Sequence, residues 1–334
     1  MTVIAAPINP ASADAGIFFD PEPTFHPHHL LGLEGMPRPA LLDLLDQAER
    51  YRARLVTGTL ASDRLQGVAV CNAFFEDSTR TRVSFELAAK RLGAISVTIS
   101  SQGCSLSKGE SLLDTVRTIV AMHVSAVVIR HRSAGVPAFL AKHVDASIIN
   151  AGDGSHEHPT QGLLDLMTLR RAWGDRFEGR RIAIVGDIAH SRVARSAIFG
   201  LHTLGVAITV AGPETLVPRG IEELGCTLAP TVEEAMESAD AVMTLRLQSE
   251  RMQAGLIPSI PEYARVWGVN AKRVALMKPD AVVLHPGPVH RGVELSPDVA
   301  DGGRSVILDQ VENGVAVRCA VLARYARRRA RLAA

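Results

Sequence analysis

The chain has 334 residues, and at about 150 residues per domain this length predicts roughly two domains. Hydrophobic residues make up 47% of the sequence and charged residues 21%, which excludes a disordered or fibrous chain. The 36 lysines and arginines against 35 acidic residues leave a net charge of +1, so the composition lacks the electrostatic signature of a nucleic-acid-binding protein. Aromatic residues, at 4%, are too scarce for a base-stacking surface.

The start of the chain and its cysteines favour a protein of the cytoplasm. Residues 1–28 are rich in Pro, Ala and His, without periodicity or the basic segment of a signal peptide, and predict a flexible tail. The longest apolar run, Ile119–Ile129, is too short to cross a membrane. The four cysteines lie far apart, without the spacing of a zinc site, so we expect reduced thiols and no metal. They are Cys71, Cys104, Cys226 and Cys319.

After a helix that begins near Pro37, short apolar runs alternate with helical stretches. The predicted strands are Val68–Phe75, Ile95–Ile99, Ala126–Ile129 and Ser147–Ile149. Two of the helices between them are predicted at Thr81–Leu92 and Glu110–Met122. This alternation predicts a parallel sheet with helices on both faces.

A second series of strands follows Arg180. They are predicted at Ile182–Val185, Ala207–Val210, Ala241–Leu245 and Ala281–Leu284. Helix His158–Trp173 is expected to link the two halves. The last helix is predicted at about Val315–Ala330 and ends in several arginines. Positive charges stabilise the carboxyl end of a helix, so we favour this role for the arginines over binding of an anionic partner. The fold class is therefore α/β, with two doubly wound parallel-sheet domains and a cleft at the carboxyl ends of their strands.

The turn after the first strand carries hydroxyls and arginines. Residues Ser78-Thr-Arg-Thr-Arg82 stand where a helix leaves its first backbone N–H groups unpaired. Together these groups suit a phosphate. The alternative is an ordinary Ser/Thr cap with surface arginines, but the motif is denser than capping requires. We therefore expect an anion site here.

The third and fourth strands direct further polar residues to the same edge of the sheet. Arg130 and His131 end the third strand, and a glycine-rich turn after the fourth leads to His158 and Gln161. A lone histidine is more often structural than catalytic. A catalytic role is nevertheless favoured for His158, because the carboxyl ends of parallel strands meet at one edge of the sheet and bring it near these other polar residues.

The turns of the second series carry arginines rather than glycines. The turn after Val185 lacks the G-x-G-x-x-G run, which argues against a nucleotide-dependent oxidoreductase. It presents Arg192, and the turn after Leu245 presents Arg246; two separate arginines suit the two carboxylates of a dicarboxylate. Sequence motifs of a serine hydrolase, a zinc protease or a P-loop are missing. These observations predict a transferase that acts on an already activated acyl or carbamoyl phosphate.

Seven motifs stand in order between about residues 29 and 330. They are Ser78-Thr-Arg-Thr-Arg82, Lys108-Gly-Glu110, Arg130-His131, His158-Pro-Thr-Gln161, His190-Ser-Arg192, Arg246-Leu-Gln248-x-Glu-Arg251 and His285-Pro-Gly-Pro288. This set resembles the aspartate carbamoyltransferase family of catalytic chains, in the aspartate/ornithine carbamoyltransferase superfamily. The ornithine family shares the first motif but usually has His-Cys-Leu-Pro where this chain has His285-Pro-Gly-Pro288, and its Ser-Met-Gly signature is absent.

The resemblance implies transfer of the carbamoyl group from carbamoyl phosphate to the amine of L-aspartate, the committed step of de novo pyrimidine (UMP) biosynthesis, without a cofactor. It also implies a carbamoyl-phosphate-binding domain at residues 29–160, completed by a C-terminal helix at 314–334, and an aspartate-binding domain at 161–313. Two alternatives stay open: an inactive paralogue that acts as a scaffold, and transfer to another amino acid such as ornithine.

The resemblance also implies which residues bind carbamoyl phosphate. They are Ser78, Thr79, Arg80, Thr81, Ser105, Arg130, His158, Gln161, Gly287 and Pro288. Arg130, His158 and Thr81 would hold the carbonyl oxygen. Gln161 and the backbone carbonyls of Gly287 and Pro288 would hold the amide.

For aspartate, the implied ligands are Arg192 at the α-carboxylate and Arg246 with Gln248 at the β-carboxylate. Lys108 would join them from a neighbouring subunit, which implies a homotrimer with shared sites. The implied catalytic residues are Arg80, Thr81, Lys108, Arg130 and His158. Some members also bind a separate regulatory chain or a dihydroorotase, so these are candidate partners. One departure is His290, where the family often has Asn.

Overall fold

The computed structural model describes residues 26–60, 62–100, 108–248 and 255–326. Helices and strands alternate through most of this part of the chain, as the apolar pattern predicts. In chain order the elements are α1 (Arg38–Val56), β1 (Ala69–Phe74), α2 (Thr79–Arg91), β2 (Ile95–Ser100), α3 (Leu112–Ala121), β3 (Val124–His131), α4 (Val136–Ala141), β4 (Ser147–Asp153), α5 (Pro159–Trp173), β5 (Arg181–Val185), α6 (Arg192–Thr203), β6 (Ala207–Ala211), β7 (Thr227–Leu228), α7 (Val232–Met236), β8 (Ala241–Thr244), α8 (Ile260–Trp267), α9 (Ala271–Val274), β9 (Val282–Leu284), α10 (Pro297–Ala300) and α11 (Ile307–Tyr325).

The strands form two parallel sheets, which confirms the predicted fold class. The first sheet has the order β2-β1-β3-β4 and the second the order β7-β6-β5-β8-β9. The central strand β1 is buried at every residue after Ala69, as expected of a strand with both faces covered. The edge strand β2 instead leaves Ile95 and Val97 59% and 47% exposed.

Helices α5 and α11 connect the two halves. Helix α11 follows the last strand of the second sheet, yet it packs against α1, α2 and α5 on the first. Its predicted start at Val315 is wrong, because the helix begins at Ile307. Gln310 and Asn313 interrupt the apolar pattern that the prediction used, although both are buried. The helix ends at Tyr325, so the predicted terminal arginines after it lie outside the described residues.

The described cysteines are free thiols inside the protein. Cys71, Cys226 and Cys319 are buried, and Cys104 falls outside the described residues. Burial raises the pKa of Cys71 to about 11 and that of Cys319 to about 12, so both stay protonated and unreactive near neutral pH. None of the helices in the described ranges combines the length and apolarity that a membrane span requires.

Asp240 joins the amino ends of three strands in the second sheet. Its carboxylate accepts hydrogen bonds from Arg180 Nη1 at 2.7 Å, the Arg181 N–H at 2.9 Å and Lys278 Nζ at 2.9 Å. These partners stand just before or at the start of β5 and just before β9, while Asp240 itself precedes β8. Burial alone raises the pKa of Asp240, but the bonds from Lys278 and Arg180 outweigh it and hold the pKa below its usual value.

We expect Asp240→Asn to lower the free energy of unfolding by about 1–3 kcal/mol at pH 7, because it weakens charge-assisted bonds to a buried acceptor. A lowered folded-state pKa stabilises the protein above the unfolded pKa of about 3.9 and loses that effect as the pH falls through the folded pKa. The difference from wild type should therefore shrink below about pH 4. Urea unfolding at several pH values measures it.

Asp280→Asn is the matched control, since Asp280 is an exposed carboxylate in the turn before β9. It should change the free energy of unfolding by no more than about 0.5 kcal/mol. Equal effects of the two substitutions at pH 7 would contradict the role given to Asp240.

Candidate active site

A cavity of about 760 Å³ lies between the two sheets, where the turns after their strands meet. Its walls come from the turn after β1, the end of β3 and the start of α5 on one side, and from the turns after β5, β8 and β9 on the other. Most residues predicted for the site line it together. They are Ser78, Thr79, Arg80, Thr81, Arg130, His158, Gln161, Arg192, Arg246, Gln248, Gly287 and Pro288.

Lys108 is exposed to solvent and is not among the described residues that line the cavity. Ser105 falls outside the described residues. No lysine is among the described residues that line the cavity. A single chain therefore supplies the arginines, hydroxyls and amides of the predicted site without the lysine.

Helix α2 begins at the cavity with Ser78 as its N-cap residue. Ser78 has an extended backbone, with φ −166° and ψ 93°, but its hydroxyl makes no capping hydrogen bond. In an ordinary Ser/Thr cap, that hydroxyl would accept a hydrogen bond from a backbone N–H of the first turn. The geometry therefore favours the anion-site interpretation, in which the hydroxyl and the N–H groups face a ligand.

Glu76 links the two halves of the cavity through arginines. Arg192, at the start of α6, is 4% exposed, and its Nη1 and Nη2 donate to Glu76 Oε2 and Oε1 at 2.9 and 2.6 Å. Arg130 Nη2 donates to Glu76 Oε1 at 3.3 Å and its Nη1 to the Ala151 carbonyl at 3.2 Å. The sequence reasoning did not assign Glu76. The sequence feature that could have identified Glu76 is its position just after a strand, as an acidic residue among several predicted arginines.

Glycine is required where these arginines approach the backbone. Gly152 has φ +115°, and a Cβ there would lie 3.0 Å from Arg192 Cζ and 3.1 Å from Arg130 Nη1. Gly287 has φ +63°, and a Cβ there would overlap the guanidinium of Arg80. Both positions combine a left-handed backbone with a guanidinium in contact, which a larger residue would displace.

The turn after β8 is held by the turn after β5. Arg246 Nη2 donates to Gln248 Oε1 at 3.0 Å, which brings the two predicted carboxylate ligands together. The Gln248 N–H donates to Asp187 Oδ2 at 3.2 Å, and Asp187 Oδ1 accepts the His190 N–H at 3.2 Å. Asp187 is fully buried, so it anchors the arginine turn to the sheet.

Gln161 contacts a buried carboxylate that the sequence reasoning missed. Asp165 Oδ1 accepts from Gln161 Nε2 at 2.9 Å and from Gln310 Nε2 at 2.7 Å. Burial raises the pKa of Asp165 to about 7, against the lowering effect of the bonds from Gln310 and Gln161. The spacing of Gln161 and Asp165, four residues apart in one helix, was the signal that the sequence offered.

One group of possible metal ligands lies apart from the cavity. Glu34, His156 and Glu157 offer atoms within 4.8 Å of one another. The buried carboxylate of Glu157, however, already accepts from the N–H groups of Leu33 and Glu34 at 2.8 and 3.2 Å and from Ser196 Oγ at 2.8 Å. These bonds account for Glu157 as a structural acceptor.

Comparison with known proteins matches both halves of the chain to one family. The model of the aspartate/ornithine carbamoyltransferase carbamoyl-P binding domain matches residues 28–171, and that of the Asp/Orn binding domain matches residues 178–325. The aspartate carbamoyltransferase catalytic subunit of Myxococcus xanthus (strain DK1622) is 54% identical over 88% of this chain and 98% of that protein. That of Gluconobacter oxydans (strain 621H) is 52% identical over 92% and 99%.

Solved structures of two kinds of carbamoyltransferase share the fold. Aspartate transcarbamoylase from Trypanosoma cruzi in complex with N-(phosphonacetyl)-L-aspartic acid superposes with a TM-score of 0.81 at 30% identity, covering 91% of this chain and 97% of that one. Ornithine carbamoyltransferase from Pyrococcus furiosus gives a TM-score of 0.79 at 30% identity, covering 89% and 96%. The fold is therefore common to enzymes with different amino-acid substrates.

We expect Gly287→Ala to weaken the binding of inorganic phosphate by at least about tenfold, because the added methyl displaces Arg80 from the start of α2. Calorimetric titration with phosphate measures the affinity. Gly303→Ala is the matched control, since a Cβ at Gly303 meets no atom within 4 Å. Unchanged phosphate affinity in the Gly287 variant would contradict the place given to Arg80.

Proposed function

Because the chain belongs to the aspartate/ornithine carbamoyltransferase family, we propose that it is an aspartate carbamoyltransferase. It transfers the carbamoyl group of carbamoyl phosphate to L-aspartate and forms N-carbamoyl-L-aspartate, the committed step of de novo pyrimidine biosynthesis. One observation carries the proposal: the Ser78–Thr81 turn and the arginines Arg192 and Arg246 face the same cavity from opposite sheets. The proposed phosphate site and the proposed dicarboxylate site thus belong to one cavity.

The choice of aspartate over ornithine rests on the turn after β8. Arg246 and Gln248 contact each other at the cavity, where they offer hydrogen-bond donors to a carboxylate. A guanidinium there would repel the side-chain ammonium of ornithine. The relatives at 52–54% identity are named for aspartate, which supports the same choice.

The proposed binding of carbamoyl phosphate uses the first sheet and the turn after β9. Ser78, Thr79, Arg80 and Thr81 hold the phosphate at the start of α2, and Ser105 is a further proposed ligand. Further along the ligand, the carbonyl oxygen and the amide each meet their own group of donors or acceptors. The remaining ligands are Arg130, His158 and Thr81 at the carbonyl oxygen and Gln161, Gly287 and Pro288 at the amide.

The proposed reaction is a direct attack of the neutral aspartate amine on the carbamoyl carbon. A C–N bond forms, the carbonyl oxygen becomes an oxyanion, and the bond from carbon to the phosphate oxygen then breaks. Arg130, His158 and Thr81 are the donors for that oxyanion, and one such donor is typically worth about 3–4 kcal/mol. The departing phosphate accepts the proton of the amine, so the reaction needs no separate protein base.

The proposed domains follow the two substrates. Residues 29–160 with the C-terminal helix at 314–334 form the carbamoyl-phosphate-binding domain. Residues 161–313 form the aspartate-binding domain, which also contributes Gln161, Gly287 and Pro288 to the binding of carbamoyl phosphate. The packing of α11 against α1 and α2 supports the return of the chain to the first domain, although that helix begins at Ile307. We place the enzyme in the cytoplasm, where buried reduced thiols are expected.

We further propose a homotrimer in which Lys108 completes the site of a neighbouring subunit. The lysine is exposed and does not line its own chain's cavity. Near the cavity, α2 leaves Val83 and Leu87 each 41% exposed, and the edge strand β2 exposes Ile95 and Val97. A second copy would cover this apolar face. A separate regulatory chain or a dihydroorotase remains a candidate partner of such a trimer.

The purified chain should form N-carbamoyl-L-aspartate from carbamoyl phosphate and L-aspartate, and should leave L-ornithine unreacted. Arg246→Ala should lower kcat/KM for aspartate by about 10²–10³-fold, because it leaves a carboxylate without its charged partner. A colorimetric assay for the carbamoylated amino acid measures both. The control is Arg219→Ala, an exposed arginine that does not line this cavity.

Turnover with ornithine instead of aspartate would overturn the assigned substrate. Absence of product with both amino acids would favour the alternative of an inactive scaffold.

Shared sites predict complementation between two inactive variants. Arg80→Ala and Lys108→Ala should each lose most activity alone. After the subunits are dissociated and reassembled at equal amounts, about a quarter of the sites should hold an intact Arg80 and a neighbour's intact Lys108. Recovery of activity to about that fraction is the expected result. Absence of recovery would show that Lys108 acts within its own chain or not at all.

A further inference from the structure

A buried carboxylate lies directly behind the cavity. Asp165 stands one helical turn after Gln161 in α5 and is 1% exposed. Its Oδ1 accepts the bonds from Gln161 and Gln310 given above. No described residue donates to its Oδ2. Two side-chain amides therefore converge on a single oxygen atom inside the protein.

The acceptor character of this oxygen determines which way both amides point. A carboxylate accepts hydrogen bonds, so each amide must turn its NH2 group toward Asp165. For Gln161, which lines the cavity, this leaves the amide oxygen as the atom that meets a ligand. Oδ1 keeps its lone pairs when a proton binds Oδ2, so the orientation is the same in both protonation states of Asp165.

Gln310 carries the same constraint to the turn after β9. With its NH2 group on Asp165, its Oε1 accepts the His285 N–H at 2.9 Å. His285 in turn accepts the Gly287 N–H on Nδ1 at 2.7 Å, and its Nε2 lies 3.0 Å from Glu294 Oε1. Since Nδ1 is an acceptor, the ring proton is on Nε2 and is donated to Glu294. The backbone that leads into Gly287 and Pro288 is therefore fixed from two sides.

We propose that Asp165 is a positioning residue that makes the site select an acyl phosphate bearing an NH2 group. It turns the oxygen of Gln161 toward the cavity and, through Gln310, holds the turn that presents the carbonyls of Gly287 and Pro288. The inference rests on the proposed function, because it takes the ligand to be carbamoyl phosphate. Its counterpart is acetyl phosphate, which has the same shape with a methyl group in place of NH2.

A hydrogen-bond acceptor that is fixed in place distinguishes an NH2 group from a methyl group more strongly than one that can rotate. A methyl group would leave Gln161 Oε1 and the backbone carbonyls without donors, and unpaired acceptors in a binding site lower affinity. An amide free to rotate could instead present its NH2 group or move aside, which would reduce that cost. Discrimination between the two acyl phosphates therefore depends on Asp165, although Asp165 is placed behind the ligand site.

The test compares carbamoyl phosphate with acetyl phosphate, each with L-aspartate and the full chain, in wild type, Asp165→Leu and Asp165→Asn. The readout is the ratio of the two kcat/KM values. Asp165→Leu removes the acceptor and should lower this ratio by at least about tenfold, mainly through loss with carbamoyl phosphate. Asp165→Asn keeps an oxygen at the Oδ1 position and should hold the ratio within about threefold of wild type.

Leu169→Ala separates positioning from stability. Leu169 is fully buried one turn further along α5, so its truncation destabilises the same helix without touching Gln161. It should leave the ratio within about threefold of wild type. A wild-type ratio in folded Asp165→Leu, or an equal fall of the ratio in Leu169→Ala, would overturn the inference.

Two further measurements keep the inference testable. If Asp165→Leu does not fold, Gln310→Leu breaks the branch to His285, and an unchanged ratio in that variant overturns the proposal. Calorimetric titration with carbamoyl phosphate and acetyl phosphate gives the same ratio as affinities. Failure of wild type to turn over aspartate overturns the proposed function, whereas the affinity ratio of Asp165→Leu still decides the role of Asp165.

Discussion

The structure depends on holding several guanidinium groups together in one partly enclosed cavity. Guanidinium groups that line the same cavity repel one another, and the repulsion grows when water is displaced from between them. The carboxylate of Glu76 offsets it by pairing with Arg130 from its own sheet and with Arg192 from the other. Gly152 then allows both arginines to lie against the backbone. At the cavity the contact between the halves is therefore electrostatic, whereas behind it one continuous apolar core joins them.

Two nearly equivalent sheets carry unlike chemistry because their turns differ. Both present the carboxyl ends of parallel strands to the cavity, where helix starts and loops supply the functional groups. Enzymes named for aspartate and for ornithine superpose on the chain about equally well. The fold alone therefore does not determine the amino-acid substrate, and we propose that short segments such as the Arg246–Gln248 turn determine it.

Much of the fold follows from the sequence, because buried parallel strands are continuous apolar runs. The same rule misses β7, whose two residues are too short for a pattern, and it misplaces the start of α11, where buried polar residues interrupt the apolar stripe. Site residues at strand ends were predictable from topology. Glu76 and Asp165 left only weak local signals, because each also depends on a side-chain partner more than 100 residues away in the sequence, Arg192 for Glu76 and Gln310 for Asp165. The roles of Lys108 and Ser105 stay predictions.

The two connections between the halves have a mechanical consequence. Helices α5 and α11 pack against each other, so the chain crosses between the sheets twice along one line. Two adjacent covalent connections favour a hinge rotation about their common axis over sliding or twisting of the two halves. Points near a hinge axis travel least during rotation. Asp165 and Gln310 belong to these two helices, so a rotation about this axis would move their contact least and the outer groups of the second sheet most.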